Sequence, residues 1–209
     1  MFDYSSFPNI STGRLNLRCL AKKDTDDIFA VRSDYEVTKY NSGAAYTETN
    51  QALNLIERSI SGFQSKSSIY WAISLVGSDT VVGQAGFNCW DQDSHSAEVG
   101  FDLRRDHWRQ GIMTEALAAI LSFGFSEMGL NRIGAQVSTY NDSCKALLLK
   151  LNFQHEGTQR DQYFEDSKYH DLDLFAVLKR EAPATVTNSS CTITYVPLNL
   201  DEAINTSLC

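Results

Sequence analysis

The stretch that decides the fold reads Ala97-Glu98-Val99-Gly100-Phe101-Asp102-Leu103, then Arg104-Arg105-Asp106-His107-Trp108-Arg109-Gln110-Gly111-Ile112-Met113-Thr114-Glu115-Ala116. A strand over 97–103 runs into a short polar loop, and a helix begins at the loop's glycine. The helix is clear. Leu117, Ile120, Leu121, Gly124, Phe125 and Met128 recur at i, i+3, i+4, i+7, i+8 and i+11, and Gly129 stands where a left-handed C-terminal cap belongs. The first turn of a helix has free N–H groups and a positive dipole end. Gly111 has no Cβ to hold a phosphate away, and Arg104, Arg105 and Arg109 add positive charge. A diphosphate suits such a loop. The plainer reading is a strand–loop–helix connection with three solvated arginines. The loop is neither a P-loop, since Gly-Lys-Ser/Thr is missing, nor a dinucleotide fingerprint, since the Gly-x-Gly-x-x-Gly spacing is missing.

Working outward, residues 14–20 alternate and predict a strand. Residues 24–32 predict a helix with acidic residues in its first turn. A second helix is expected over 49–63, with Leu53, Ile56, Ile60 and Phe63 at helical spacing. Strands are expected over 69–76 and 80–89, joined by the turn Gly77-Ser78-Asp79. Residues 132–138 predict a strand. Asn141 can cap a helix with the stripe Cys144, Leu147, Leu148, Leu151. Two strands near 154–163 and 171–178 follow. This order implies an α/β (α+β) layer in which helices cover a mostly antiparallel sheet.

The chain has 209 residues, enough for one domain or one domain with an appendage. Hydrophobic residues make up 43% and charged residues 21%, which excludes a disordered chain, a collagen-like repeat and a disulfide-stapled scaffold. A net charge of −8 lacks the basic footprint of a nucleic-acid binder. A negative field suits a cationic substrate better. The five cysteines (Cys19, Cys89, Cys144, Cys191, Cys209) are widely spaced with no Cys-x-x-Cys pair, so reduced thiols are expected. His95, His107, His155 and His170 show no metal-ligand spacing, and no metal is expected. The N-terminus lacks the marks of a signal peptide, and no stretch approaches the ~20 apolar residues of a membrane span. The expectation is a cytoplasmic protein with no nucleic-acid or membrane partner. All 18 basic residues precede residue 181. Residues 1–180 are therefore expected to form the domain, and 181–209 an appendage that is partly flexible or carries one short strand near 192–196.

The segment 104–116 resembles the acyl-CoA-binding motif of the GNAT N-acetyltransferase superfamily, (Gln/Arg)-x-x-Gly-x-(Gly/Ala). Trp108 to Ala116 resembles the RimJ/RimL branch, which often reads Trp-Gly-x-Gly-x-(Ala/Met)-x-Glu-Ala and acetylates N-terminal amines of ribosomal proteins. Thr12-Gly13-Arg14-Leu15-Asn16-Leu17-Arg18 is similar to that branch's opening Thr-x-Arg-Leu-x-Leu-Arg. Arg32-Ser33-Asp34 and the element from Asn141 to Phe153 match as well. The resemblance covers about residues 10–180. It departs at Trp108, where the superfamily has Gln/Arg, and at Arg109, where the branch often has Gly. Met113 replaces a small residue, and either presses on the pyrophosphate site or packs. Asn152 stands where the family has Gly.

The resemblance implies a GNAT-type sheet of about seven strands, with a V-shaped splay between those near 97–103 and 132–138. It implies acetyl-CoA as co-substrate. Backbone N–H groups at Phe101 and Leu103 would polarise the thioester carbonyl. Arg104, Arg109, Gln110, Gly111, Ile112, Met113 and Thr114 would hold the pyrophosphate, and Asn141 the pantetheine side. Glu98 is the candidate base, acting through water on an amine; otherwise it is a solvent-facing strand residue. Cys144 is the candidate acid for the leaving thiolate, with Ser143 in its place if the register moves by one. Otherwise Cys144 opens an apolar stripe. The tyrosine that many relatives use falls here at Leu148, with Tyr140 close by. Tyr35, Tyr40, Tyr46, Trp71 and Trp90 are candidates for an acceptor groove or for core and rim packing. The implied activity is acetyl transfer to a primary amine by direct attack in a ternary complex. The expected acceptor is a protein N-terminus, with a polyamine, amino acid or aminoglycoside as alternatives. A non-catalytic acyl-CoA-binding module is the other class, and a homodimer is compatible with either.

Overall fold

The computed structural model describes residues 4–41, 44–165, 167–187 and 190–198. In chain order the strands are β1 (Ser6–Ser11), β2 (Leu15–Cys19), β3 (Ile69–Leu75), β4 (Val81–Asp91), β5 (Ser96–Leu103), β6 (Arg132–Ser138), β7 (Gln154–Glu165), β8 (Lys168–Leu178) and β9 (Thr192–Pro197). The helices are α1 (Thr25–Arg32), α2 (Tyr35–Thr38), α3 (Thr49–Gln64), α4 (Ile112–Ser126), α5 (Asp142–Lys150) and α6 (Ala184–Thr187). The strands form one open sheet in the order β7-β8-β6-β5-β4-β3-β2-β1-β9. β5 and β6 are parallel, joined by the crossover helix α4 as a parallel pair requires. The other neighbours are antiparallel.

The sheet has nine strands among the described residues, two more than the sequence implies. β1 was hidden by Pro8, because a proline in mid-strand removes a ladder donor. Here the loss costs little. β1 pairs with β2 only at Ile10↔Leu17 and Ser11↔Asn16. The Pro8 carbonyl instead accepts the indole N–H of Trp71, at 2.6 Å. β9 comes from the tail and pairs with β1 along six positions, Ser6↔Pro197 to Ser11↔Thr192. Cys209 lies outside the described residues, and the other four cysteines are free.

Helices cover both faces. Strand alternation sends Trp71, Ala85, Phe87, Val99 and Leu103 to one side, where they pack with α4. The single apolar stripe expected of α4 understates it, because eleven of its fifteen residues are buried. A Cβ on Gly124 would meet the Phe87 ring at 2.8 Å, so the missing side chain sets how closely α4 lies on β4. Ile28 of α1 and Ala52, Ile56 and Ile60 of α3 cover the opposite face, over Leu20, Ala72 and Val81.

Val186 of α6 is buried in the same core as α4. Burying a valine is worth about 1.5–3 kcal/mol, and β9 adds a ladder. Deleting residues 182–209 is therefore expected to lower the unfolding free energy by about 2 kcal/mol or more. Chemical denaturation measures this, and an unchanged midpoint would show that the tail contributes nothing to the domain.

Candidate active site

β5 and β6 pair only at Ser96↔Arg132, Ala97↔Ile133 and Glu98↔Gly134. Beyond Glu98, β5 follows β4 as far as Gly83↔Leu103, while β6 follows β8 as far as Ser138↔Leu172. The gap that opens between them is the expected splay. Both strands run the same way, so the residues after each end at the mouth of the gap. One connection leads to the N-terminus of α4 and the other to that of α5. Ligands bind at such strand ends because two positive helix termini converge there.

The loop 104–111 is held from within. The Trp108 indole donates to the Leu103 carbonyl at 2.7 Å, and the Gln110 amide donates to the Asp106 carbonyl at 2.8 Å. Arg109 and Gly111 have φ of 60° and 75°, on either side of Gln110. Arg109 thus takes the left-handed conformation that glycine would adopt, at a cost of about 1–2 kcal/mol. The chain path survives the departure from the family's glycine. Met113 and Ile112 are buried in the core, so Met113 packs instead of crowding the loop, and both offer only their backbone N–H.

The three arginines do not act alike. Arg104 pairs with Asp106 at 2.8 Å, and Arg105 with Asp34 at 3.2 Å. Hydrogen bonds from Arg104 and His107 hold Asp106 at about 2. Arg109 is exposed, with no ion pair among the described residues. The Glu115 carboxylate turns to β1–β2, accepting from the Thr12 hydroxyl at 2.6 Å and from Arg14 Nε at 2.6 Å. Burial works to raise its pKa, but these bonds outweigh it and hold it below the usual carboxylate range.

At the second mouth, the Asn141 Oδ1 caps α5 by accepting from the Cys144 N–H at 3.1 Å, and it also accepts from the Ser143 hydroxyl at 2.9 Å. Ser143 is exposed. Cys144 packs against the core, and burial pushes its thiol up to about 12. Leu148 is fully buried and Tyr140 is exposed. The start of α5 is tied down by Lys145, whose ammonium donates to the Thr139 carbonyl at 2.6 Å and pairs with Asp173 at 2.8 Å.

On the α1–α3 side of the same strands lies a cleft of about 770 Å³. Its floor holds the cross-strand pairs Asn88↔Glu98 and Gln84↔Asp102, and between them Gly100, which pairs with Gly86. Tyr70 lies across the two glycines. A Cβ on Gly100 would come within 2.6 Å of its hydroxyl, and one on Gly86 within 2.1 Å of the Ile69 carbonyl. Burial raises the Tyr70 pKa, so the hydroxyl keeps its proton. Glu98 accepts from the Gln136 amide at 2.9 Å. Asp102, 7% exposed, accepts from Arg32 at 2.8 Å, Asn41 at 2.6 Å and Gln84 at 3.0 Å.

Among the described residues, three buried side-chain polar atoms have no hydrogen-bond partner: Arg32 Nε, Gln84 Oε1 and Asn88 Oδ1. Each such orphan costs about 1–3 kcal/mol, and all three residues line this cleft. The sequence reading did not single out Tyr70, Gln84, Asn88 or Asp102. Alternation along β5 from Glu98 was the available signal for Asp102. Of the five aromatic candidates only Tyr40 lines the cleft. Trp71 is in the core, Trp90 stacks on Tyr4 and Tyr46 lies against Arg32.

The Asp173 carboxylate is held at about 2, first by Lys145 and then by Thr158, against 3.8 in an unfolded chain. A carboxylate lowered in the folded state stabilises above its unfolded pKa, and that share is lost as pH falls from about 4 to about 2. Asp173→Asn is expected to make the fall in unfolding midpoint between those pH values shallower. An identical slope would show that this pair does not hold α5.

Comparison with known proteins bears on these features. The acetyltransferase (GNAT) domain family matches residues 14–154. The uncharacterized N-acetyltransferase YoaA of Bacillus subtilis is 35% identical over 173 residues, 83% of this chain and 98% of that protein. The ribosomal-protein-serine acetyltransferase of Escherichia coli is 28% identical over 98 residues, 47% of this chain and 55% of that protein. The structure of Mycobacterium smegmatis RimJ in complex with CoA-disulfide shares the fold, with a TM-score of 0.78 at 20% identity over 90% of this chain and 95% of that one. No helix among the described residues is long and apolar enough to cross a membrane. The chain belongs to the GNAT acetyltransferase family and is an acyltransferase.

Proposed function

We propose that this chain moves an acetyl group from acetyl-CoA to the α-amine of a protein N-terminus, in a ternary complex in the cytoplasm. The observation that carries this reading is the gap between β5 and β6. Two helix N-termini stand at its mouth, and a polar cleft holding Glu98 lies on the other side. The pyrophosphate goes to the N–H groups of residues 110–114 and to Arg109, the one loop arginine without an ion pair among the described residues. The Asn141 amide nitrogen is left for the pantetheine arm, since its oxygen is used as a cap.

The amine nitrogen attacks the thioester carbonyl. An α-amine has a pKa near 8, so at pH 7 about one in ten is already neutral, and Glu98 holds the water through which the proton leaves. Backbone N–H groups of Phe101 and Leu103 that face the gap donate to the developing oxyanion. The C–S bond then breaks, and the thiolate takes a proton at the start of α5. Cys144 holds its proton at about 12. Giving it to a thiolate of pKa near 8.5 is uphill by roughly 3 to 4 units. A solvent proton relayed past exposed Ser143 is the cheaper route, and Cys144→Ser is expected to keep most of the activity.

Thermal unfolding with acetyl-CoA, against NAD and ATP as controls, tests the site. A ligand at 100 times its Kd adds about 2.7 kcal/mol, or roughly 5–11 °C for a chain of this size. Arg109→Gly relieves the left-handed strain, so it is expected to raise the ligand-free midpoint by about 2–8 °C and to reduce the shift caused by acetyl-CoA. No shift at millimolar acetyl-CoA would overturn the reading.

A further inference from the structure

The cleft floor has a chemical signature that narrows the acceptor. Its charged lining among the described residues is two arginines, Arg32 and Arg58, and two carboxylates, Glu98 and Asp102. It is therefore balanced, although the whole chain carries −8. Asp102 is already paired with Arg32, which leaves Glu98 as the one carboxylate to meet an amine. A polyamine has two or more ammonium groups and would leave the others without a counter-charge. The orphaned atoms ask for something else. Asn88 Oδ1 and Gln84 Oε1 need donors, and Arg32 Nε needs an acceptor. A peptide unit offers both, an N–H and a C=O.

The spacing agrees. Asn88 is directly opposite Glu98, and Gln84 directly opposite Asp102. The two pairs are four residues apart along β5, roughly 13 Å at ~3.3 Å per residue. That is the length of a few residues of extended chain. The cleft of about 770 Å³ is far larger than an amine requires.

We propose that the row Asn88–Gln84 on β4, with Arg32 beside it, is a subsite for the backbone of an extended peptide. The peptide's amine sits at Glu98, its first amide N–H donates to Asn88 Oδ1, and a later peptide unit meets Gln84 and Arg32. The acceptor class is then an α-amino amide, not an alkyl polyamine. This rests on the acetyl-transfer reading above and adds to it the residues that choose the acceptor.

The test uses the full chain with acetyl-CoA and follows CoA release. Three acceptors are compared: a tetra-alanine amide with a free N-terminus, the analogue in which an ester oxygen replaces its first peptide N–H, and 1,4-diaminobutane. The ester analogue is expected to show kcat/KM about tenfold below the peptide, as for one lost hydrogen bond in a dry site. In Asn88→Ala that ratio is expected to fall to about threefold or less, with the acetyl-CoA thermal shift unchanged as the control for folding. Equal turnover of peptide and ester by the unaltered protein overturns the subsite and leaves acetyl transfer standing. Preference for the diamine overturns the acceptor class. A thermal shift with acetyl-CoA but no acetylation of any of the three overturns the acetyl-transfer reading itself.

Discussion

The site depends on a ladder that stops. β5 and β6 share three register pairs and then part at Glu98↔Gly134. The two strands part because each follows its other neighbour. β5 is paired with β4 to its last residue, and β6 with β8 to its last residue. Buried backbone groups that lose a ladder need another partner. The alternate N–H and C=O groups of 99–103 that β6 would have met are thus left for a ligand lying between the strands. Glu98 sits at the apex and lines the cleft, its carboxylate accepting from Gln136 of β6.

The rest of the fold holds those two strands apart and in place. α4 is buried nearly all round and is seated on β4 through Gly124, which fixes where its N-terminus and the Arg109–Gly111 turn come to rest. Glu115, tied to Thr12 and Arg14, anchors that first turn to the far side of the sheet. α5 is pinned at its start by Lys145 to Asp173 and to the Thr139 carbonyl. Asp102 joins the end of β5 to α1 through Arg32 and to the following segment through Asn41. These are ties between distant parts of the chain, and they converge on the two mouths of the gap.

Charge shows why local geometry outweighs the total. A net −8 pointed toward cationic acceptors. In the folded chain Arg104, Arg105 and Arg14 are spent on Asp106, Asp34 and Glu115, and the charges lining the cleft beside β5 balance among the described residues. Of the three arginines that gave the loop its basic look, Arg109 alone remains without an ion pair among the described residues.

The sequence alone marks most elements between residues 14 and 178, because strand alternation, the α4 stripe and the caps at Asn141 and Gly129 are local signals, whereas the four-residue α2 carries no such signal. It also determined the family, because the loop from Trp108 to Ala116 carries its motif contiguously. What it missed was decided by contacts between residues far apart in the chain. Pro8 is tolerated in β1 because β2 pairs with that strand only at Ile10 and Ser11, and Trp71, 63 positions on, takes the Pro8 carbonyl. Arg109 keeps a glycine's conformation because the loop on either side of it is held. The polar row of Gln84, Asn88 and Asp102 comes together only when β4 and β5 pair in register. Periodicity and spacing report what a residue does within its own element. Which polar groups are left without partners depends on what the fold brings opposite them, and that is a property of the tertiary structure alone.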